Sequence, residues 1–222
     1  MQFIFLRHGN YHQPKGVPSA LLPYSLNDEG IAQSTKAAKE LLEYFKQYPK
    51  YLPKAIHTSS ALRAYQTAKI IKEYLNKHLG CKIYLVETAE LTERRLGAMA
   101  NLTIEQIESI VSKDPRYSNL PEGWKSSRYF CLPFVDCESL EMAGKRVKSY
   151  IEANLEQDAN TVFVGHGASF RNACVDFKLL KEDELPKLSM HHATPLHFIK
   201  TKVKWILQKG EWKIREQKEK LD

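Results

Sequence analysis

The stretch Thr161-Val162-Phe163-Val164-Gly165 is the clearest buried strand in the sequence, and a helix is predicted to follow it from about Ala168. Residues 2–7 (QFIFLR) form a second apolar run, which is rich in strand-favouring residues and has no helical period. Such short continuous runs are typical of strands that are covered on both faces. Shorter strands are predicted over residues 55–58 and 83–86. These four runs predict a sheet whose centre is buried.

Helical patterns separate the strands. The predicted helices cover residues 28–47, a segment from Ser59 or Ser60 to about Asn76, residues 103–112 and residues 139–156. Asn27 is expected to cap the first helix, and Ser59 or Ser60 the second, because short polar side chains accept hydrogen bonds from the first N–H groups. Strands that alternate with helices predict an α/β protein, a three-layer α/β/α sandwich with a largely parallel central sheet.

The C-terminal part alternates apolar and polar residues. Lys209-Gly210-Glu211 is predicted to turn a hairpin before Trp212-Lys213-Ile214, which would give the sheet an antiparallel edge. The charged tail from Glu216 is expected to be frayed. Residues 113–137 are irregular and aromatic, and so long a connection suggests an inserted cap or lid. No linker or repeat divides the chain, so one domain over residues 1–222 is predicted.

Composition narrows the class of protein. Of the 222 residues, 43% are hydrophobic and 27% are charged, as in folded proteins. No apolar run approaches the ~18 residues that a membrane span needs, so no membrane partner is predicted. The four cysteines are irregularly spaced and form no C-x-x-C, which favours a reduced, cytoplasmic location. The net charge of +7 would suit nucleic acid, but no basic run is interleaved with aromatics, so no nucleic-acid partner is predicted.

Polar residues follow three of the predicted strands, at the edge where open α/β sheets bind ligands. Arg7 and Arg63 are suited to hold tetrahedral oxygens, and the helix start after Gly167 attracts anions. His8 and His166 add two imidazoles that are active near neutral pH. Together they predict a phosphoryl site. The three junctions are Arg7-His8-Gly9, residues 59–68 and residues 165–172.

Each of these residues has a commoner interpretation when it is taken alone. His166 could be a turn histidine, and Arg63 an exposed helix arginine. Gly9 and Gly167, which flank the two histidines, are expected to let the backbone approach the phosphoryl group. The phosphoryl site is predicted because all three strand–helix junctions carry such residues together.

The ordered motifs resemble those of the histidine phosphatase superfamily, which includes cofactor-dependent phosphoglycerate mutase. The resemblance extends from residue 3 to about residue 200. The matching segments are Leu6-Arg7-His8-Gly9, the S-S-x-x-R-A-x-Q-T-A run at residues 59–68, residues 91–97 (LTERRLG), Glu138-Ser139-Leu140 and Val164-Gly165-His166-Gly167, with residues 27–33 similar to the first-helix entry.

The resemblance implies that His8 attacks phosphorus and becomes phosphohistidine. Arg7, Arg63 and His166 would bind the phosphoryl oxygens and stabilise the charge that develops in the transition state. Glu93 matches the acid/base carboxyl, which protonates the leaving oxygen and then activates water. Neither a metal nor a cofactor is implied.

Three further assignments depend on the neighbours of these motifs. The carboxylate of Glu93 could instead form a surface salt bridge with Arg94 or Arg95. Arg94 matches a position that contacts substrate in the mutases, and Asn10 and Gly167 are also predicted to bind substrate. The remaining histidines are predicted to be structural, solvated or unable to form a ligand set: His12, His57, His78, His191, His192 and His197.

Departures from the mutase pattern favour a phosphomonoesterase. The mutases have glutamate or glutamine where Asn10 stands, H-G-N-S-L-R where residues 166–171 read HGASFR, and a longer basic insertion between the positions of Glu93 and His166. The predicted substrate is a small phosphorylated metabolite, and the chain is predicted to act as a monomer or homodimer. The alternatives are a phosphoglycerate mutase and a non-catalytic binder of a phospho-ligand or nucleic acid.

The cap leaves two interpretations open. Its basic residues could hold a second anionic group, and its aromatic residues could line a pocket or form a minor core of their own. The basic residues are Lys113, Arg116, Lys125 and Arg128, and the aromatic residues are Tyr117, Trp124, Tyr129, Phe130 and Phe134.

Overall fold

The computed structural model describes residues 1–18, 21–156 and 159–215. In these ranges, six strands form one sheet in the order β3-β2-β4-β1-β6-β7. The pairs β3–β2, β2–β4 and β4–β1 are parallel, while β6 and β7 add an antiparallel edge. The strands are β1 (Gln2–Arg7), β2 (Ala55–Ser59), β3 (Tyr84–Thr88), β4 (Asn160–Gly165), β5 (Leu188–Ser189), β6 (Leu196–Lys200), β7 (Trp205–Lys209) and β8 (Lys213–Ile214).

Within the described residues, five α-helices connect and cover the strands. They are α1 (Asp28–Gln47), α2 (Leu62–Leu79), α3 (Ile104–Lys113), α4 (Leu140–Ala153) and α5 (Gly167–Asp176). The predicted cap of α1 is confirmed, because Asn27 Oδ1 accepts the Gly30 N–H at 2.9 Å. Ser139 caps α4 in the same way.

Alternating side chains of β1 divide the core into two layers. Ile4 and Leu6 face a cluster that includes apolar residues of α1 and α2, whereas Phe3 and Phe5 face a cluster with α4 and α5. Helices therefore cover both faces of a largely parallel sheet, and the predicted three-layer α/β/α sandwich is confirmed.

Two local predictions are wrong. The N-cap of α2 is Ala61 rather than Ser59 or Ser60, because the Ser59 hydroxyl lies against His166 at the end of β2. The turn at residues 209–211 does not join a hairpin: β7 pairs with β6, and β8 pairs with β5 in a separate two-stranded sheet. The predicted frayed tail from Glu216 lies outside the described residues.

The cap segment (residues 113–137) encloses a small core of its own. Trp124 and Leu132 are buried with Ile107 of α3, and Phe130 and Phe134 pack against them. This favours the minor-core interpretation of the cap aromatics, with Tyr129 exposed.

Internal carboxylates hold two of the basic residues of the cap. Arg116 pairs with Asp114, and Arg128 pairs with Asp176 and Glu182. These two guanidinium groups are already neutralised within the protein, which weakens their assignment to a second anionic group of a ligand.

None of the helices that the structure describes is both long enough and apolar enough to cross a membrane.

Candidate active site

The carboxyl ends of β1, β2 and β4 bring the predicted site together. The His8 N–H donates to Gly165 O at 3.0 Å, so the residue after β1 lies beside the end of β4. His166 follows β4 directly, and the ring centroids of His8 and His166 are 5.0 Å apart. The two histidines, separated by most of the sequence, thus share one buried site, since their exposed fractions are 2% and 1%.

Arg63 connects the two imidazoles from the first turn of α2. Its Nε donates to His8 Nε2 at 3.1 Å, and its Nη2 lies 3.2 Å from His166 Nδ1. The third nitrogen, Nη1, donates to Leu22 O at 3.0 Å, and the guanidinium carbon lies 4.6 Å from the centre of the Tyr11 ring. Arg63 is completely buried, which excludes the interpretation of an exposed helix arginine.

The hydrogen-bond partners define the tautomer of each imidazole. His8 Nδ1 is 2.8 Å from Gly9 O, and because a carbonyl only accepts, Nδ1 carries the proton and Nε2 the lone pair. His166 Nδ1 accepts from Arg63, so its Nε2 donates to Ser59 Oγ at 2.9 Å. His8 therefore presents an unprotonated Nε2 towards the guanidinium of Arg63.

Burial keeps both imidazoles uncharged. It lowers the pKa of His8 well below 6.5, and the positive charges of Arg63 and Arg7 act in the same direction. Burial followed by the charges of Arg63 and Arg7 lowers the pKa of His166 well below its usual value. The His8 ring is therefore neutral near neutral pH, which is the form of imidazole that can act as a nucleophile.

The glycines of the two motifs lie close to neighbouring parts of the protein. A Cβ at Gly9 would stand 2.6 Å from Gly30 O at the start of α1, so a side chain there would push this helix away. A Cβ at Gly167 would stand 3.3 Å from Cδ of Arg7, whose Nη1 donates to Met190 O at 3.2 Å. Both glycines are therefore packed closely against protein atoms, and their approach to a phosphoryl group stays a prediction.

Glu93 lies in the loop after β3, and its carboxylate reaches the N-terminus of α5. Oε2 accepts the Ala168 N–H at 2.9 Å, and Oε1 accepts the Ser169 N–H at 2.6 Å. The helix start that was predicted to attract a phosphoryl anion is therefore occupied by a carboxylate of the chain itself. The surface salt bridge with Arg94 or Arg95 does not form; Arg95 pairs with Glu90 instead.

A buried ion pair holds the loop of Glu93 in place. Arg146 of α4 donates to both carboxylate oxygens of Glu138 at 2.8 and 2.7 Å, and to the backbone carbonyls of Glu90, Thr92 and Glu93. Burial raises the pKa of Glu138, but Arg146 and the Arg95 N–H outweigh it and hold this pKa below its usual value. Arg146 is thus a positioning residue for Glu93.

Arg94 and Asn10, which are both predicted to bind substrate, lie in different surroundings. Arg94 is only 6% exposed, and its guanidinium lies 5.9 Å from the ring centre of Trp124 under the cap. The Asn10 amide instead turns away to α1, where it donates to Glu29 Oε2 at 2.5 Å. The Arg94 guanidinium is enclosed beside Trp124 and the Asn10 amide holds the loop, so substrate binding by either residue stays a prediction.

Sequence reasoning missed three contributors to this site. His192 Nδ1 donates to His8 O at 2.8 Å, Ser59 orients His166, and the Tyr11 ring lies 5.3 Å from the His8 ring at 82°. The double serine after β2 was a usable signal for Ser59. No local pattern distinguishes His192 or Tyr11, because tertiary packing alone brings them to His8. In the described ranges, no three His, Cys, Asp or Glu side chains group as metal ligands.

Two neutral imidazoles are joined by one guanidinium, and a carboxylate lies at the adjacent helix start. Residues 3–212 match the sequence model of the histidine phosphatase superfamily (branch 1), and the chain belongs to this superfamily.

Two curated relatives of similar length are both named as phosphoglycerate mutases. The chain is 25% identical over 225 residues to the 2,3-bisphosphoglycerate-dependent phosphoglycerate mutase of Clavibacter michiganensis subsp. michiganensis, covering 87% of this chain and 82% of the relative. The mutase of the same name from Hydrogenobaculum sp. is 24% identical, with 88% and 85% covered.

Solved structures share the fold at low identity. A mycobacterial glucosyl-3-phosphoglycerate phosphatase in complex with VO3 aligns with a TM-score of 0.67 and 21% identity, over 94% of this chain and 98% of that chain. The phosphoserine phosphatase of Entamoeba histolytica in complex with 3-phosphoglyceric acid aligns with a TM-score of 0.60 and 16% identity, over 97% and 98%. At these identities the likeness concerns the fold.

Proposed function

We propose that the protein is a phosphomonoesterase, which transfers the phosphoryl group of a small anionic ester first to His8 Nε2 and then to water. One observation carries the proposal: the Nε2 lone pair is fixed by the Nδ1–H bond to Gly9 O and faces the Arg63 guanidinium, which also reaches His166. A nucleophile and cationic donors for phosphoryl oxygens thus converge on one point.

In the first step, the Nε2 lone pair forms a bond to phosphorus while the P–O ester bond breaks. The N–H groups of Arg63 turn from the imidazoles to the phosphoryl oxygens, because a guanidinium fork binds an anion more strongly than a neutral ring nitrogen. Arg7 adds a second cation. Apart from this turn of Arg63, hydrogen bonds within the protein hold the site, so stabilising the transition state needs little further reorganisation.

Glu93 donates a proton to the leaving group and then accepts one from water. Both Glu93 oxygens already accept backbone N–H bonds, which stabilises the ionised carboxylate. Glu93 therefore carries no proton before the reaction, and the proton for the leaving oxygen arrives on the monoanionic ester. Glu93 relays this proton to the departing alkoxide. In the second step the carboxylate takes a proton from water, whose oxygen bonds to phosphorus as the P–N bond to His8 breaks and orthophosphate leaves.

The decisive experiment is the trapping of the intermediate. With p-nitrophenyl phosphate and a metal chelator, the protein is expected to release phosphate, and a denaturing quench should retain an acid-labile phosphohistidine. His8→Ala should abolish both signals, whereas His78→Ala, at an exposed histidine of α2, should leave both unchanged. Turnover by His8→Ala at the parent rate would refute the proposal.

The names of the curated relatives favour a second candidate, a phosphoglycerate mutase. The two activities share the phosphohistidine and differ in whether the phosphoryl group returns to an organic hydroxyl or passes to water. Incubation of the protein with 3-phosphoglycerate and 2,3-bisphosphoglycerate separates them. Orthophosphate release that exceeds formation of 2-phosphoglycerate supports the phosphatase; the reverse ratio assigns the mutase.

A further inference from the structure

The peptide group between His8 and Gly9 determines where the His8 ring points. His8 Nδ1 donates to Gly9 O at 2.8 Å, so a rotation of the chain at Gly9 would move this acceptor and release the ring. Glycine has no Cβ and rotates more freely than any other residue. Contacts from other parts of the protein are therefore needed to hold this short stretch of backbone.

Side chains hold the peptide group at both of its polar ends. Its N–H, which belongs to Gly9, donates to Thr67 Oγ1 of α2 at 3.0 Å. Its carbonyl, which belongs to His8, accepts from His192 Nδ1 at 2.8 Å. His8 is 2% exposed, and a buried carbonyl that loses its donor is costly. The bond from His192 is thus half of what fixes this peptide group.

The segment 190–193 replaces the sheet beside the end of β1. The ladder between β1 and β6 ends where Phe5 faces Leu196. Beyond that point the Ala193 N–H donates to Arg7 O at 2.8 Å, and Arg7 Nη1 donates to Met190 O at 3.2 Å. The side chain of His192 then reaches the next carbonyl along β1, that of His8.

The backbone of this segment is strained directly after His192. Ala193 has a φ of 47°, in the left-handed region that favours glycine. It is buried in the core layer that also contains Leu6. Strained backbone persists only where the surrounding structure holds it, and it is concentrated at functional sites. The centroids of the His8 and His192 rings lie 5.5 Å apart as a result of this path of the chain.

We propose that His192 is a positioning residue for the nucleophile. Its Nδ1–H fixes the His8–Gly9 peptide group and so keeps the Nε2 lone pair of His8 directed at phosphorus. This role rests on the proposed phosphoryl transfer through His8. A misplacement of about 1 Å can cost on the order of 10²-fold in rate, so loss of the bond should slow the formation of phosphohistidine. Substrate binding should change little, because Arg7 and Arg63 remain.

Two variants separate the hydrogen bond of His192 from the bulk of its ring. Leucine keeps much of the bulk and has no donor, whereas asparagine is smaller and carries an amide nitrogen near the position of Nδ1. In rapid-quench experiments with p-nitrophenyl phosphate, His192→Leu should form phosphohistidine about 10- to 100-fold more slowly than the parent. His192→Asn should restore most of the parent rate, and KM should stay near the parent value in both variants.

The matched controls are His191→Leu and His191→Asn, at the half-buried neighbour in the same segment. Both should form phosphohistidine at the parent rate. Parent-like rates for His192→Leu, or equal losses for His192→Leu and His192→Asn, would refute the role of the hydrogen bond. A rise in KM with an unchanged rate of phosphohistidine formation would place His192 against the substrate and also contradict the proposal.

Nitrogen-15 NMR of the His8 ring tests the positioning without turnover. The His8 signal is identified by its absence from His8→Ala. The parent and His192→Asn should show the Nδ1–H tautomer, and His192→Leu a mixture of both tautomers. A pure Nδ1–H tautomer in His192→Leu would overturn the proposal. A parent that shows the expected tautomers but forms no phosphohistidine would instead refute the proposed function and leave the positioning of His8 by His192 intact.

Discussion

The carboxyl ends of β1, β2 and β4, here called the catalytic edge, and the cap segment have different kinds of buried side chains. At the catalytic edge the buried groups are polar: His8, Arg63 and His166 are each at most 2% exposed and are joined by directional hydrogen bonds. In the cap, Trp124 and Leu132 are buried by apolar packing. Directional bonds fix one geometry, whereas apolar packing tolerates changes of shape at similar volume. Chemistry is therefore expected to depend on the catalytic edge, and the choice of substrate on the cap and its border.

The largest effect is expected from Arg63→Lys. An ammonium group cannot reach His8, His166 and a phosphoryl group as a guanidinium fork does, so kcat/KM for p-nitrophenyl phosphate should fall about 10³-fold. The control is Arg116→Lys at an exposed arginine of the cap, which should retain parent activity. A loss of the same size in the control would remove the distinction between the two regions.

Glu93→Gln should lower kcat by about 10²- to 10³-fold for an alkyl phosphate, because the leaving alkoxide needs a proton. For p-nitrophenyl phosphate the loss should be smaller, since nitrophenolate leaves unprotonated. Glu90→Gln, at an exposed neighbour, is the matched control. Steady-state kinetics with both esters checks the prediction; equal losses for both would indicate a merely structural role for Glu93.

Arg94→Met tests the border between the two regions. Because Arg94 is buried beside Glu93 and Trp124, it is suited to bind a second anionic group of the substrate. We expect kcat/KM to fall about 10- to 100-fold for a phosphate ester that bears a carboxylate, the scale of a charged hydrogen bond, and little for p-nitrophenyl phosphate. Arg95→Met is the neighbouring control. Equal losses for both esters would argue against a specificity role.

The pH dependence of kcat/KM is expected to report the protonation state of the buried His8. Because burial lowers the pKa of His8 well below 6.5, the nucleophile stays neutral as the pH falls through 6.5, and activity is lost only at distinctly lower pH. On the alkaline side, activity towards an alkyl phosphate should decline up to tenfold per pH unit above about 6, because the ester loses the proton that its leaving group needs. An acid limb centred at 6.5 would contradict the described burial of His8.

The smallest effect on chemistry is expected from Trp124→Ala. Removing this buried ring should lower the free energy of unfolding by about 3 kcal/mol, as urea denaturation would measure. The kcat for p-nitrophenyl phosphate should stay near the parent value once the protein is folded. Tyr129→Ala, at a cap aromatic that is 60% exposed, should alter neither quantity. A large fall in kcat would extend the catalytic role to the cap.

Strand identities and the three strand–helix junctions were predictable because short apolar runs and the polar residues after them are local signals. The convergence of Arg7, His8, Arg63 and His166 followed from the rule for parallel strand ends. The partner of the α5 N-terminus was not predictable, because Glu93 reaches Ala168 and Ser169 only through tertiary structure. The C-terminal hairpin was misassigned for a similar reason: β8 finds its partner in β5, which has only two residues and no pattern.

The position of β1 has a consequence for the order in which the molecule can be made. Within the sheet, residues 2–7 lie between β4 and β6, whose residues follow much later in the chain. During synthesis from the N-terminus, the first apolar strand is thus translated long before either neighbour exists, and pairing so distant in sequence is intrinsically slow. The nascent chain must keep Phe3 to Leu6 shielded from aggregation, and catalytic competence arrives only after the ribosome has passed His166.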